Sequence, residues 1–245
     1  MIFKEFDPSL DLRNCNKVII LGGGCYGSVF SQRISRAKEK NQCDYSYQLI
    51  VDINSECEAI VNNERKDVLF FNGDWMDFFS SYVGYFINEQ DYVVLPCNTP
   101  HFIFNFFVRM LTSSKGHRVE VLRLNDNIGF PYEEYSGDSL YISNAEWTCP
   151  YLCREPEICP AIHEARLWNI RERLCDYLSR IKEYKIDDSL LFESDLVING
   201  VALIATKKII SGYRRLISTA EILPKVYVIA TISQCHGAIS VFKLK

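Results

Sequence analysis

The chain has 245 residues, 48% of them hydrophobic, with 27 Lys and Arg against 31 Asp and Glu for a formal net charge of -4. That length and apolar share can fill a sizeable core, and the charge balance excludes a basic field that would draw the chain to a nucleic-acid backbone or an anionic membrane. The expected partner is a small-molecule substrate or a nucleotide, met by the chain alone or as a homodimer.

The first residues, MIFKEFDPSLDLRN, mix acids with apolar groups and lack the basic start, apolar run and small-residue cleavage site of a signal peptide. The apolar runs near 100–111 and 196–210 are interrupted by Asn, Arg or Lys, so no spanning helix is expected. A cytoplasmic location follows as the expectation. In a reducing compartment, the ten cysteines read as buried thiols, metal ligands or catalytic groups rather than as disulfides.

Residues 17–21, KVIIL, form a short β-branched run, followed at once by GGGCYGS and then by a segment with apolar residues at helical spacing. This is strand, turn, helix. Gly22, Gly24 and Gly27 satisfy G-x-G-x-x-G. The first permits a tight turn, the second lets backbone approach a pyrophosphate, and the third lets helix and strand pack closely. The helix N-terminus then offers unpaired N–H groups to the phosphate. A second strand, 47–52, ends in Asp52, which suits the ribose hydroxyl pair of NAD and would repel the 2'-phosphate of NADP; the alternative for Asp52 is a helix cap.

The same rhythm continues with strands at 67–71, 91–96 and 117–124, the first followed by a turn at Gly73 and Asp74. Almost continuous apolar strands alternating with helices predict a doubly wound, mostly parallel Rossmann-like α/β sheet over residues 1–125. Its ligands would sit beyond the carboxyl ends of the strands, where GGGCYG, Asp52, Asp74 and the stretch PCNTPH fall. In that stretch Cys97 and His101 are the candidate catalytic groups. VVLPCNTPHF resembles the first-cysteine motif of the aspartate and glutamate racemases, which implies a thiol acid/base at Cys97 with Asn98 and Thr99 on the substrate carboxylate. The second-half Gly-Cys-Thr-Glu strand motif of that family is absent.

Residues 126–245 are expected to form a cysteine-containing α+β extension. Cys149, Cys153 and Cys159 lie in a segment whose prolines at 150, 156 and 160 disfavour helix and free backbone groups to turn around a centre. A fourth ligand is supplied by Cys235 or His236, at the expected turn of a C-terminal β-hairpin. Soft thiolates suit zinc or an iron-sulfur cluster better than magnesium or calcium. The spacing C-x3-C-x5-C matches neither the usual zinc pair nor the ferredoxin run, which leaves the two metals open. After Cys159, residues 161–184 read as one long amphipathic helix, with His163 and Arg166 near its start. A later helix carries Lys207, Lys208, Arg214 and Arg215.

Taken together, ILGGGCYGS, VDIN, DYVVLPCNTPH, CPYLCREPEICP and the final CHG resemble a family of prokaryotic proteins with a nucleotide-binding Rossmann fold and a C-P-x-x-C-x-E-P-x-x-C-P segment. The N-terminal half is similar to the NAD-binding regulatory domains of potassium transport systems. The resemblance supports a Rossmann fold and a cysteine site more than it supports a reaction. The expected function is an NAD(P)-dependent oxidoreductase with a cysteine-ligated metal or iron-sulfur centre, acting on a small molecule. A nucleotide-responsive redox sensor without turnover and a racemase-like enzyme are the alternatives.

Overall fold

Every residue of Lys17–Leu21 is buried, the lysine included, as the central strand of a sheet covered on both faces requires. The computed structural model describes residues 16–61, 63–96, 99, 101–125, 127–150, 153, 155–194, 196–198, 200–219 and 224–245. Among these the architecture is mixed α/β, with six helices and two sheets. The chain divides into two units, Met1–Thr99 with Ser194–Ser211, and Pro100–Glu193 with Gly212–Lys245. The division falls at Thr99 instead of at 125, and a late stretch of chain returns to the first unit.

In the first unit β1 (Lys17–Leu21) pairs in parallel with β2 (Tyr47–Asp52), and β2 with β3 (Val68–Asn72). On its other side β1 pairs in parallel with β4 (Tyr92–Val94). The register sets Ile19 between Leu49 and Val93, all three fully buried. Helix α1 (Cys25–Glu39) follows β1, α2 (Glu58–Val61) follows β2, and α3 (Trp75–Tyr82) follows β3. The outer strands come from the returning segment: β10 (Val201–Ala205) lies antiparallel to β4, and β9 (Leu196–Ile198) antiparallel to β10. The spatial order is β3-β2-β1-β4-β10-β9: β1 to β4 are parallel as expected, and the two antiparallel strands from the returning segment make the whole sheet mixed.

The start of β1 is held by an ion pair removed from water. Lys17 Nζ lies 3.2 Å from Asp91 Oδ2, with both side chains fully buried. The Asp91 carboxylate also accepts the backbone N–H of Lys17 at 2.9 Å and of Asn88 at 2.9 Å. These bonds replace the hydration that a buried carboxylate loses. The pair fastens the beginnings of β1 and β4, at the opposite end of β1 from the glycine turn.

The second unit opens with α4 (Phe102–Lys115) and builds its sheet from β5 (Val119–Leu122), β6 (Tyr132–Ser136), β7 (Ser139–Ser143), β8 (Asp188–Glu193), β11 (Lys225–Ile232) and β12 (His236–Leu244). The order is β6-β7-β12-β11-β8. Strand β12 pairs along its length with β11; its other edge is shared, β7 meeting residues 236–239 and β5 meeting 241–244. The stretch expected as the fifth strand of the first sheet is therefore β5 of the second, antiparallel to β12.

Phe104 of α4 packs on Phe242, and Phe107 meets the ring of Phe192 edge-on. Helix α5 (Ile170–Arg180) buries Ile170 and Leu174 in a cluster with Ile142, Val228, Ala230 and Ile239. At about 1.5–3 kcal/mol for each fully buried large apolar side chain, these contacts make α5 an anchored element.

The long helix expected over 161–184 shrinks to these eleven residues. Asn169 stops it on the N-terminal side, its side chain capping the N–H of Glu172. Upstream, the chain is turned back on itself between Cys159 and Arg166. Helix α6 (Thr206–Thr219) carries Lys207, Lys208, Arg214 and Arg215 as expected, and its start falls in the first unit and its end in the second. No helix among the described residues is long and apolar enough to cross a membrane.

Candidate functional site

The glycine turn closes one wall of an open cleft of about 350 Å³ in the first unit, lined by Gly22, Gly24, Cys25, Tyr26, Gly27, Asp52 and Trp75 among others. Gly22 has φ +100°, a conformation that an L side chain rarely adopts, and a Cβ there would press on the Trp75 ring at 3.1 Å. A Cβ on Gly27 would stand 1.9 Å from the Gly22 carbonyl, so the helix can approach the turn only with glycine in that place. Nothing lies within 4 Å of the Cβ position of Gly24, the N-cap of α1, which faces open space.

The first turn of α1 has no side-chain cap and no acidic residue, whereas its last turn holds Arg36 and Lys38. The positive end of the helix dipole thus meets no side-chain cap at the glycine turn, and the dipole is complemented at the other end. Asp52 turns its carboxylate toward the same loop, accepting from Gly23 N at 2.6 Å and from Asn54 N at 2.8 Å. It caps no helix: α2 begins only at Glu58. Each carboxylate oxygen keeps a second lone pair for a ligand hydroxyl.

Asp74 serves the fold as a helix cap. It is the N-cap of α3, accepting from Met76 N at 2.8 Å and Asp77 N at 2.9 Å, and it is not among the residues lining the cleft. His101 belongs to the second unit, 2% exposed, stacked on Phe104 and 3.2 Å from Thr231 Oγ1 through Nδ1. Burial lowers its pKa to about 3 against a weaker opposing bond with Ile229, so the ring is neutral and sealed from solvent. That placement does not suit the proton carrier expected at a strand end. Cys97 and Asn98 lie outside the described residues.

The cysteines converge. Pairing of β7 with β12 sets Ser143 opposite His236, and Asn144 N donates to the Cys235 carbonyl at 3.0 Å. The chain leaving β7 therefore runs past the turn between β11 and β12. In that following segment Cys159 N donates to Glu164 O and His163 N to Cys159 O, each at 2.8 Å, and Ile158 bridges Ala165. The resulting small loop is closed at His163, with φ +58°. Cys149, Cys153, Cys159, Cys235 and His236 all line one cavity, together with Trp147, Glu155, Arg166 and Trp168. The cavity holds about 10 Å³, roughly the space of one water molecule or one ion.

Cys149 Sγ lies 3.8 Å from His236 Nε2. Glu155 N donates to Cys153 Sγ at 3.4 Å, and Trp168 Nε1 to Cys235 Sγ at 3.4 Å. Burial first, then the nearby Cys153, Cys159 and Glu155, push the Cys149 thiol above its ordinary range. Burial likewise pushes Cys235 up, opposed by the Trp168 N–H and with Glu155 adding to the rise. Such mutual repulsion is what a bound cation would relieve. Among the described residues no group of three or more His, Cys, Asp or Glu is placed to hold a metal ion. The other described cysteines, Cys25, Cys43, Cys57 and Cys175, line no part of this cavity.

Sequence reasoning missed the residues that hold the site together. Glu155 has φ +47°, a left-handed backbone costing on the order of 1–3 kcal/mol for a residue with a side chain. Its carboxylate accepts from Ser233 Oγ at 2.6 Å and Gln234 N at 2.9 Å, its carbonyl accepts from Arg166, and its N–H reaches Cys153. Arg166, expected on a helix surface, lines the cavity instead. Trp147 packs its ring at 6.1 Å from that of Trp168, and its buried Nε1 has no acceptor among the described residues. The available signal was two tryptophans and a Glu-Pro step within twenty-two residues of chain around three cysteines.

Compared with known proteins, residues 103–245 match the family model AF_1314_C, described as "Uncharacterized protein, C-terminal domain". The matched region contains all five sulfur and imidazole donors of the cavity. No curated protein and no solved structure matches the chain.

Proposed function

The chain belongs to the AF_1314_C family, and we propose that it is a Rossmann-like, NAD(P)-binding protein with a cysteine-ligated metal or iron-sulfur centre, working as an oxidoreductase on a small molecule. The observation that carries this reading is the convergence of Cys149, Cys153, Cys159, Cys235 and His236 on one cavity of about ionic size. These residues lie on two stretches more than seventy residues apart in sequence. Buried thiols of unrelated purpose have no reason to meet in this way.

The donors fit a thiophilic metal. Rotation about χ1 moves a cysteine sulfur by up to about 3 Å, enough to bring a rim of sulfurs into a common sphere. Zinc and an iron-sulfur cluster both take such ligands. Bound there, the metal would polarise a substrate or pass electrons. The protein's share is to hold the cysteine loop in place through Glu155, whose N–H also donates to the Cys153 sulfur.

A doubly wound nucleotide site is supported by the parallel order β3-β2-β1-β4, by the glycine turn at the carboxyl end of β1 and by the uncapped start of α1. In this reading the α1 N-terminus and the backbone at Gly24 hold the pyrophosphate. Asp52 takes the ribose hydroxyls, favouring NAD over NADP.

One observation favours a second reading, a nucleotide-responsive redox sensor without turnover. Among the described residues the cleft is lined by no histidine, and His101 is sealed in the second unit. Tyr26 and Cys25 line the cleft beside Asp52, and both are exposed. The test is anaerobic purification of the full chain, with iron, zinc and sulfide measured per chain, beside a Cys153→Ser variant. NADH oxidation by an artificial electron acceptor supports the oxidoreductase. Tight NAD binding without turnover in any acceptor supports the sensor, and a metal-free, folded protein refutes the metal centre in either reading.

A further inference from the structure

Five donors face the cysteine cavity, and a tetrahedral ion takes four. Cys235 and His236 are chain neighbours, so one of them is surplus. We propose that the centre is a single four-coordinate divalent ion of the zinc class, held by the thiolates of Cys149, Cys153 and Cys159 and by Nε2 of His236. Cys235 stays outside the ligand set as a hydrogen-bonded thiol. The assignment rests on the thiolate-centre reading above and narrows it to one metal class and one ligand set.

The geometry at His236 selects this set. With zinc–sulfur and zinc–nitrogen bonds of about 2.3 and about 2.05 Å at a tetrahedral angle, two ligands of one ion stand about 3.6 Å apart. Cys149 Sγ and His236 Nε2 are separated by 3.8 Å, so this edge of the tetrahedron is nearly in place before any ion arrives. Of the two chain neighbours it is His236 whose ring nitrogen stands beside Cys149, whereas the Cys235 sulfur faces the Trp168 indole, whose N–H it accepts at 3.4 Å.

The donor types point the same way: three thiolates with one imidazole are a regular zinc set, whereas iron-sulfur clusters are as a rule held by four cysteines. Three thiolates and an imidazole on a divalent ion leave one net negative charge, in a lining that carries both the Glu155 carboxylate and the Arg166 guanidinium.

The experiment is a cobalt(II) titration of the reduced full chain, with zinc competition, on the wild type and on Cys235→Ser, His236→Ala and His236→Cys. Wild type is expected to bind one ion per chain, with thiolate-to-cobalt charge-transfer intensity corresponding to three sulfurs. Cys235→Ser keeps that intensity and an affinity within about threefold. His236→Ala loses at least the roughly 100-fold that even outer-shell losses reach. His236→Cys raises the intensity to that of four sulfurs, a gain that a misfolded variant cannot mimic. A loss of intensity in Cys235→Ser with His236→Ala unaffected overturns the ligand assignment and leaves the metal reading standing. Iron with stoichiometric sulfide overturns the single-ion class alone. A wild type that binds no ion overturns both.

Discussion

Glu155 accepts a 2.6 Å hydrogen bond from the hydroxyl of Ser233, a residue 78 positions later in the chain. Through that bond, and through Gln234 N on its other carboxylate oxygen, the cysteine loop is fastened to the hairpin turn that carries Cys235 and His236. Its left-handed backbone directly before Pro156 runs against the extended preference of a residue preceding proline. Something must therefore hold it there, and the hairpin does. Replacing Glu155 by Ala is expected to weaken metal binding by about 10–100-fold, the range for lost outer-shell support. Glu155→Gln keeps an acceptor for Ser233 or Gln234 and should recover much of that loss. Chelator competition on both variants checks the order, and equal affinities in the two would refute the clamp.

The Lys17–Asp91 pair makes a prediction about stability. Asp91→Asn leaves a fully buried ammonium without its counter-charge, and the expected cost is about 3–5 kcal/mol. The double replacement Lys17→Met with Asp91→Leu removes both charges and should cost much less than Asp91→Asn alone. Urea denaturation reads both, through a midpoint that shifts with an unchanged m-value. A double variant as unstable as the single one would show that the other Asp91 bonds, to Asn88 N and Lys17 N, carry the load instead.

What the sequence disclosed tracks how local each feature is. KVIIL, the glycine turn, α1 and β2 were legible because a strand, a turn with fixed glycine spacing and a helix are each specified within a few residues. The apolar run 117–124 identified β5 as a strand but said nothing of its sheet, since pairing with β12 is a contact across more than one hundred residues. Return of β9 and β10 to the first sheet was invisible for the same reason. The cysteine cavity was legible because three cysteines fall within eleven residues among prolines, and the hairpin turn announced Cys235 and His236. Glu155 and Arg166 were not, because a Glu or Arg among prolines reads as surface until its partner 78 residues away, or its place in a cavity wall, is known.

His101 makes stability depend on acid. Its imidazole pKa falls from 6.5 to about 3 on folding because burial penalises the charged ring. The folded state therefore binds fewer protons than the unfolded one between those values. The contribution of a neutral His101 is complete above about pH 6.5 and is lost progressively as pH falls toward about 3, by about 1.4 kcal/mol per pH unit. His101→Phe keeps the stacking surface on Phe104 and cannot take up a proton. The difference in unfolding free energy between variant and wild type should move in favour of the variant from pH 6 to pH 4 with about that slope. A difference that is flat across this range would mean that the ring ionises as easily folded as unfolded.

The glycine cleft yields a ligand prediction separable from the metal. In Asp52→Asn the side-chain oxygen can still accept one backbone N–H, but the charge that favours a ribose diol and repels a 2'-phosphate is gone. NAD affinity is expected to fall by about 10-fold, the loss of roughly one charge-assisted hydrogen bond of about 1.4 kcal/mol, and NADP affinity to rise relative to it. Gly27→Ala works on the turn itself: with its Cβ 1.9 Å from the Gly22 carbonyl, α1 must move off β1, which displaces the helix N-terminus that would hold the pyrophosphate. Calorimetric titration of both nucleotides into the wild type and these variants reads the two effects apart. A specificity change in Asp52→Asn with loss of both nucleotides in Gly27→Ala places the dinucleotide on this turn. Unaltered binding in Gly27→Ala would move the nucleotide away from the cleft altogether, and the close approach of α1 to Gly22 would then be a matter of packing alone.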